Sequence, residues 1–181
     1  DVNKSHILQV GMVFDDGQSP VNELPYESFF IKEPSYAHAE PGALKMNAWI
    51  FEEISKKDPK YPVVSKEQAI HVIYNFINDF SQRASDWDKQ NGVRVGKMQL
   101  AGKNVASFDF PIIKNFFQAN LNDIIDHRFI DVGSVAFNML GYNAGFNKIN
   151  KELGLELITH DALDDAFAVV KAIRKMNGLP E

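Results

Sequence analysis

Leu-Ala-Gly-Lys-Asn-Val-Ala-Ser-Phe-Asp-Phe-Pro, residues 100–111, is the stretch on which the fold of this chain turns. It reads as the end of a strand, a short polar turn, and a helix whose first turn holds Asp109 between Phe108 and Phe110. The apolar neighbours bury the base of the helix and leave the carboxylate facing a cleft. Asn104 and Ser107 place short polar groups on the turn that faces the same cleft. Taken alone, Asp109 reads first as an acid that simply complements a helix N-terminus. A second acidic stretch about fifty residues on, 160–166, shifts the balance.

The chain has 181 residues, 45% of them hydrophobic, which suits one domain spanning 1–181 with a single core. It contains no cysteine. A thiolate metal site or a cysteine nucleophile is therefore excluded, and any metal must be held by oxygen or imidazole, which favours Mg2+ or Mn2+. No run of about 18 apolar residues occurs and no basic-then-apolar leader opens the sequence, so the expectation is a cytoplasmic protein with no membrane partner. The formal charge of −5 weighs against a broad basic face for long nucleic acid but permits an enzyme that grips one strand end. The clusters Lys56, Lys57, Lys60 and Lys171, Arg174, Lys175 could touch phosphates. They are read first as solvated helix faces.

Taken in order, 6–14 is a short, nearly continuous apolar run that ends at the turn Asp15-Asp16-Gly17, and 26–31 is a second strand, together a hairpin. Residues 43–56 carry Leu44, Met46, Trp49, Ile50 and Ile54 at helical spacing. The pair Met46 and Asn47 near the start of that helix is a candidate ligand contact, with packing and capping as the plainer role. Residues 65–87 form the clearest helix, where Ser65 and Gln68 make a capping box and Ala69, Ile70, Ile73, Phe76, Ile77 and Phe80 fall on one stripe. His71 lies beside the stripe and is read as structural.

A charged loop is expected over 86–94, a strand over 98–101, a helix from Asp109 to about Asn120, and an edge strand over 128–130. Asp131 caps a helix that runs through Leu140. Another helix covers 144–153, and the last runs from Thr159 or His160 to about Asn177, stopped by Gly178 and Pro180. Strands alternating with helices after a hairpin give an α/β fold with a mixed sheet and flanking helices.

On the last helix His160 and Asp165 are five apart, an offset of about 140° at 100° per residue. They do not stack, but a histidine at the frayed start can swing over the cleft that Asp165 enters. An imidazole beside a metal-bound carboxylate can take a proton from water near neutral pH. Asp161 and Asp164 are read as complementing the helix dipole.

Gly-Lys-Asn-Val-Ala-Ser-Phe-Asp at 102–109, followed by His-Asp-Ala-Leu-Asp-Asp-Ala at 160–166, closely resembles the second and third motifs of the DnaQ-like, DEDDh-type 3′-to-5′ exonucleases. Ile-Leu-Gln-Val-Gly-Met-Val at 7–13 looks like the second strand of that family, so the resemblance covers nearly the whole chain in order. It implies an RNase H-like fold and a nuclease, a hydrolase that uses two divalent cations to cut phosphodiester bonds at single-stranded DNA or RNA 3′ ends. Position by position it makes Asp109 and Asp165 metal ligands and His160 the general base, with Asn104 and Phe108 lining the pocket of the terminal nucleotide. The two carboxylates are expected to converge with the imidazole on one pocket.

The family opens with a central strand carrying Asp-x-Glu, roughly fifteen residues before Ile7. The sequence starts at Asp1 and carries no such motif, and Asp15-Asp16 is explained as a turn. The expectation is therefore that the first central strand is missing from this sequence and lies in an N-terminal segment. Without its two acids a pair of metals could not be held, which supports a second possibility: a non-catalytic nucleic-acid or protein binding module that keeps the exonuclease fold.

Overall fold

The computed structural model describes residues 6–32, 41–90, 97–117, 121, 124–142 and 144–180, the side chains of 84–89 excepted. The hairpin forms where the turn signal placed it. β1 (Gln9–Val13) pairs antiparallel with β2 (Tyr26–Ile31), in a register that sets Gly11 opposite Ser28. Asp15 and Asp16 close the turn by accepting from the backbone N–H groups of Gly17 and Gln18. A single 3-10 turn, Val21–Glu23, lies inside the loop, and Val21 is buried.

The apolar run over 43–56 makes two helices, not one: α1 (Pro41–Met46) and α2 (Ala48–Ser55). Asn47 stands at the break with φ −100° and ψ 15°, and its side-chain amide donates back to the Ala43 carbonyl at 2.9 Å. An amide that competes for the backbone of its own helix is a common helix breaker. The short β3 (Val63–Val64) then pairs parallel with β2.

α3 (Lys66–Gln90) has the capping box expected of it, with Ser65 N–H donating to Gln68 Oε1 at 2.9 Å and Gln68 N–H to Ser65 Oγ at 3.3 Å. It continues to Gln90, so residues 86–90 are helical where a loop was expected, and 91–94 lie outside the described residues. Ala69, Ile73, Ile77 and Phe80 are its buried stripe.

β4 (Met98–Gly102) pairs parallel with β5 (Ile125–Asp131), which is longer than the edge strand expected over 128–130. α4 (Asp109–Phe117) follows β4, and α5 (Val132–Leu140) follows β5 directly from its cap Asp131. α6 (Phe146–Glu152) and α7 (Ala162–Asn177) complete the chain.

The class is mixed α/β, as expected, but the strands form two small sheets: β1-β2-β3 and β4-β5. Among the described residues no backbone pairing joins them. They share a core nonetheless, in which the α3 stripe packs with Phe29, Ile31, Phe116, Phe117 and Ile125, and Val10, Met12, Met98 and Leu100 lie against it. The opposite face of β1 is covered by α7. Alternation along the strand sends Val10 and Met12 toward α3, and Gln9, Gly11 and Val13 toward α7. α7 touches β1, β2 and β4, so it spans both sheets, and its outer side packs on α5 and α6 through Val132, Ala136, Ile149 and Ala172.

Candidate active site

The β4–α4 turn is shaped by its backbone before any ligand is considered. Asn104 has φ +60°, the left-handed region that Asn tolerates better than most residues, and its carbonyl accepts from Ser107 and Phe108 N–H, both at 3.0 Å. The Asn104 N–H donates to Asp131 Oδ1 at 2.7 Å. Asp131 Oδ2 meanwhile caps α5, accepting from Ser134 N–H at 2.8 Å and Ser134 Oγ at 2.9 Å. Burial alone would raise the Asp131 pKa, but these donors, with Lys103 nearby, hold it below the ordinary value. Asp131 is thus more than a cap, because it also ties the Asn104 turn to the carboxyl ends of two parallel strands.

Asp109 starts α4, as expected, one residue past the exposed ring of Phe108. Phe110 packs on Phe129 with ring centroids 4.9 Å apart, so only one of the two flanking phenylalanines anchors the helix. Asp109 as a residue remains open to solvent, yet protein crowds its carboxyl closely enough that burial pushes its pKa up. Among the described residues no basic side chain offsets that burial.

His160 is not on the last helix. α7 begins two residues later, with Asp161 as its N-cap, and His160 occupies a left-handed backbone conformation, φ +63°. The helical offset expected between His160 and Asp165 therefore does not apply. The chain folds back over the helix start, where Thr159 N–H donates to Asp165 Oδ1 at 3.1 Å and Thr159 Oγ1 to Asp164 Oδ2 at 3.2 Å. Asp165 is half-buried, and burial raises its pKa despite the Thr159 and His160 backbone donors and the neighbouring imidazole.

Asp161 is the most heavily bonded acid of the region. Only 5% exposed, it accepts from Gln9 Nε2 at 3.1 Å, Lys60 Nζ at 2.9 Å, Tyr61 OH at 3.3 Å and Leu163 N–H at 3.0 Å. Burial works to raise its pKa, but Lys60 and the capping N–H groups bring it below the ordinary value. Lys60, expected on a solvated face, has its ammonium held above its usual pKa by Tyr61 and Asp161.

The structure thus brings His160 and Asp165 together, and Asn104, Phe108 and Asp109 together. Among the described residues no hydrogen bond or ion pair links the two groups, and no set of three or more His, Asp or Glu side chains is gathered closely enough to hold a metal. Met46 and Asn47 lie at the junction of α1 and α2, Met46 largely exposed and Asn47 bonded to Ala43. No helix is long and apolar enough to cross a membrane among the described residues. No protein-family model and no curated protein matches the chain.

Proposed function

We propose that this chain is the body of a metal-dependent 3′-to-5′ exonuclease with an RNase H-like fold, acting on single-stranded DNA or RNA ends. The observation that carries this is a pair of acids, Asp109 and Asp165, each in the first turn of a helix, each with its pKa raised by burial, and each without a lysine or arginine partner among the described residues. Carboxylates whose desolvation is only partly offset are costly to a fold and are commonly kept for a ligand. Oxygen donors in a chain without cysteine suit Mg2+ or Mn2+.

Two carboxylates fit part of the demand of two ions. Among the described residues the outer edges of β1 and β4 pair with no other strand, and a strand bringing further acids would pair there. Bound divalent ions would supply an activated water and charge stabilisation at the leaving 3′ oxygen. The protein's own part is positional. His160, exposed beside Asp165, is set to accept the proton of the attacking water. Asn104 and Phe108 shape the rim beside Asp109, where the exposed ring can stack on a terminal base. Met46 is exposed and free to do the same from α1, while the Asn47 amide is spent on Ala43.

The test is incubation of the full-length protein, the acid-bearing strand included, with a 3′-labelled oligonucleotide and Mg2+ or Mn2+, beside the variants His160→Ala and Asp165→Asn. Stepwise loss of nucleotides that both substitutions abolish is the expected result. Binding of the oligonucleotide with no cleavage under either metal would instead favour a module that binds nucleic acid without cutting it. The lack of a three-ligand cluster among the described residues is the observation on that side.

A further inference from the structure

A helix cap needs one carboxylate and the N–H groups of the first turn. Asp161 has those, from Leu163 and Asp164, at 3.0 and 3.5 Å. It also receives three donors from segments remote in sequence: Gln9 on β1, and Lys60 and Tyr61 in the connection before β3. Gln9 uses both ends of its amide here, since its Oε1 accepts from Ala162 N–H at 3.1 Å. Capping does not require this excess.

The residue just before this cluster is His160, in a conformation that glycine or asparagine would adopt at less strain. On its other side Thr159 is bound to Asp164 and Asp165, and the Asp161 N–H donates back to Thr159 Oγ1 at 3.2 Å. Both neighbours of the histidine are therefore fixed, while its ring stands in solvent. Strained backbone persists only where the surroundings over-determine it, and such places cluster at working sites.

We propose that Gln9, Lys60 and Tyr61 are positioning residues that act through Asp161 to hold His160 in its left-handed conformation, with the imidazole aimed at the reacting water. This rests on the exonuclease function proposed above. Gln9 couples the aim of the histidine to β1, and Lys60 and Tyr61 couple it to the segment that leads into β3. The base is therefore set by the sheet as well as by its own helix.

The variants Gln9→Leu and Lys60→Met in the full chain test this. Each should lower kcat about tenfold with KM for the labelled oligonucleotide within about twofold, because aim is lost and binding is not. Lys60→Arg, which keeps a charged donor, should recover most of the loss. Independently of activity, the His160 ring Cε1–H resonance, assigned with His160→Ala, should be one sharp signal in the parent protein and broadened or displaced in both variants. Folded variants with unchanged kcat and an unchanged His160 signal overturn the proposal. If the parent protein cleaves nothing, the exonuclease function fails by itself, and the resonance alone decides: unchanged in both variants, it ends the clamp as well.

Discussion

Arg174, on α7, closes a two-pronged ion pair with Asp15 in the turn after β1, across 159 residues of sequence. Its guanidinium is wholly out of reach of solvent, and the Ser19 and Pro180 carbonyls accept its Nη1 at 2.6 and 2.8 Å. Asp16 lies at 3.6 Å as a second acid. The hairpin turn, α7 and the end of the described chain are thus pinned by one side chain. Arg174→Met strips Asp15 of its partner and leaves two carbonyls unpaired. It is expected to cost about 3 kcal/mol, read as a fall in denaturation midpoint with little change in m-value.

Gly11 faces α7 at its closest approach to β1. A Cβ there would overlap the Leu163 nitrogen and the Ala162 carbonyl group, which are backbone and cannot swing aside. Gly11→Ala is therefore expected to push the start of α7 off the strand and to destabilise by about 3 kcal/mol, the upper end for overpacking. Thermal unfolding measures the stability. A simultaneous change in the Ala162 amide resonance, which reports the bond to Gln9, checks the displacement.

Asp165 carries a raised pKa, so its folded-state value lies above its unfolded one. The sign follows: its favourable contribution is complete below the unfolded value near 3.8 and is lost as pH rises through the folded value. Asp165→Asn keeps an acceptor for Thr159 N–H and removes the buried charge. It should raise Tm at pH 7 without added metal by on the order of 1–3 °C, with the gain vanishing in acid. A divalent cation that binds the parent protein should erase or reverse the difference.

Asp131 and Asp161 behave in the opposite sense. Both have lowered pKa values, so their stabilisation is present above about 3.8 and disappears as pH falls through their folded-state values. Asp131→Ala removes a cap and the anchor of the Asn104 turn together. We expect a loss of roughly 1–2 kcal/mol at pH 7 that shrinks as the pH approaches 3, measured by urea unfolding at both pH values.

Elements with local punctuation were legible in the sequence. β2 matches its expected bounds, α5 begins at its cap Asp131 and runs through Leu140 as expected, and the Ser65–Gln68 box marks the start of α3. The break at Asn47 was hidden because the apolar spacing runs straight through it, while the side-chain bond that interrupts the helix leaves no periodic trace. The start of α7 was set two residues early. Asp161 with Asp164 and Asp165 carries the signature of a cap with an acidic first turn, whereas the left-handed conformation that takes His160 off the helix has no sequence signal. In the sequence Arg174 sits with Lys171 and Lys175 as if on a solvated face, since nothing local distinguishes an arginine whose partner is 159 residues away. The bonds of Gln9, Lys60 and Tyr61 to Asp161 leave no mark in the sequence for the same reason, and Lys60 reads there only as one of a cluster on a solvated face: bonds between distant segments exist only once the chain has folded. The acids and the histidine of the site were legible as residue types, whereas the φ of His160 was not.

Because, among the described residues, β1 to β3 and β4 to β5 meet through side chains and not through a shared ladder of amides, opening one need not break the other's backbone bonds. Protection of backbone protons against exchange with deuterated solvent should accordingly fall in two steps, with the Leu100 and Phe129 amides of the smaller pair released before those of Phe29 and Ile31.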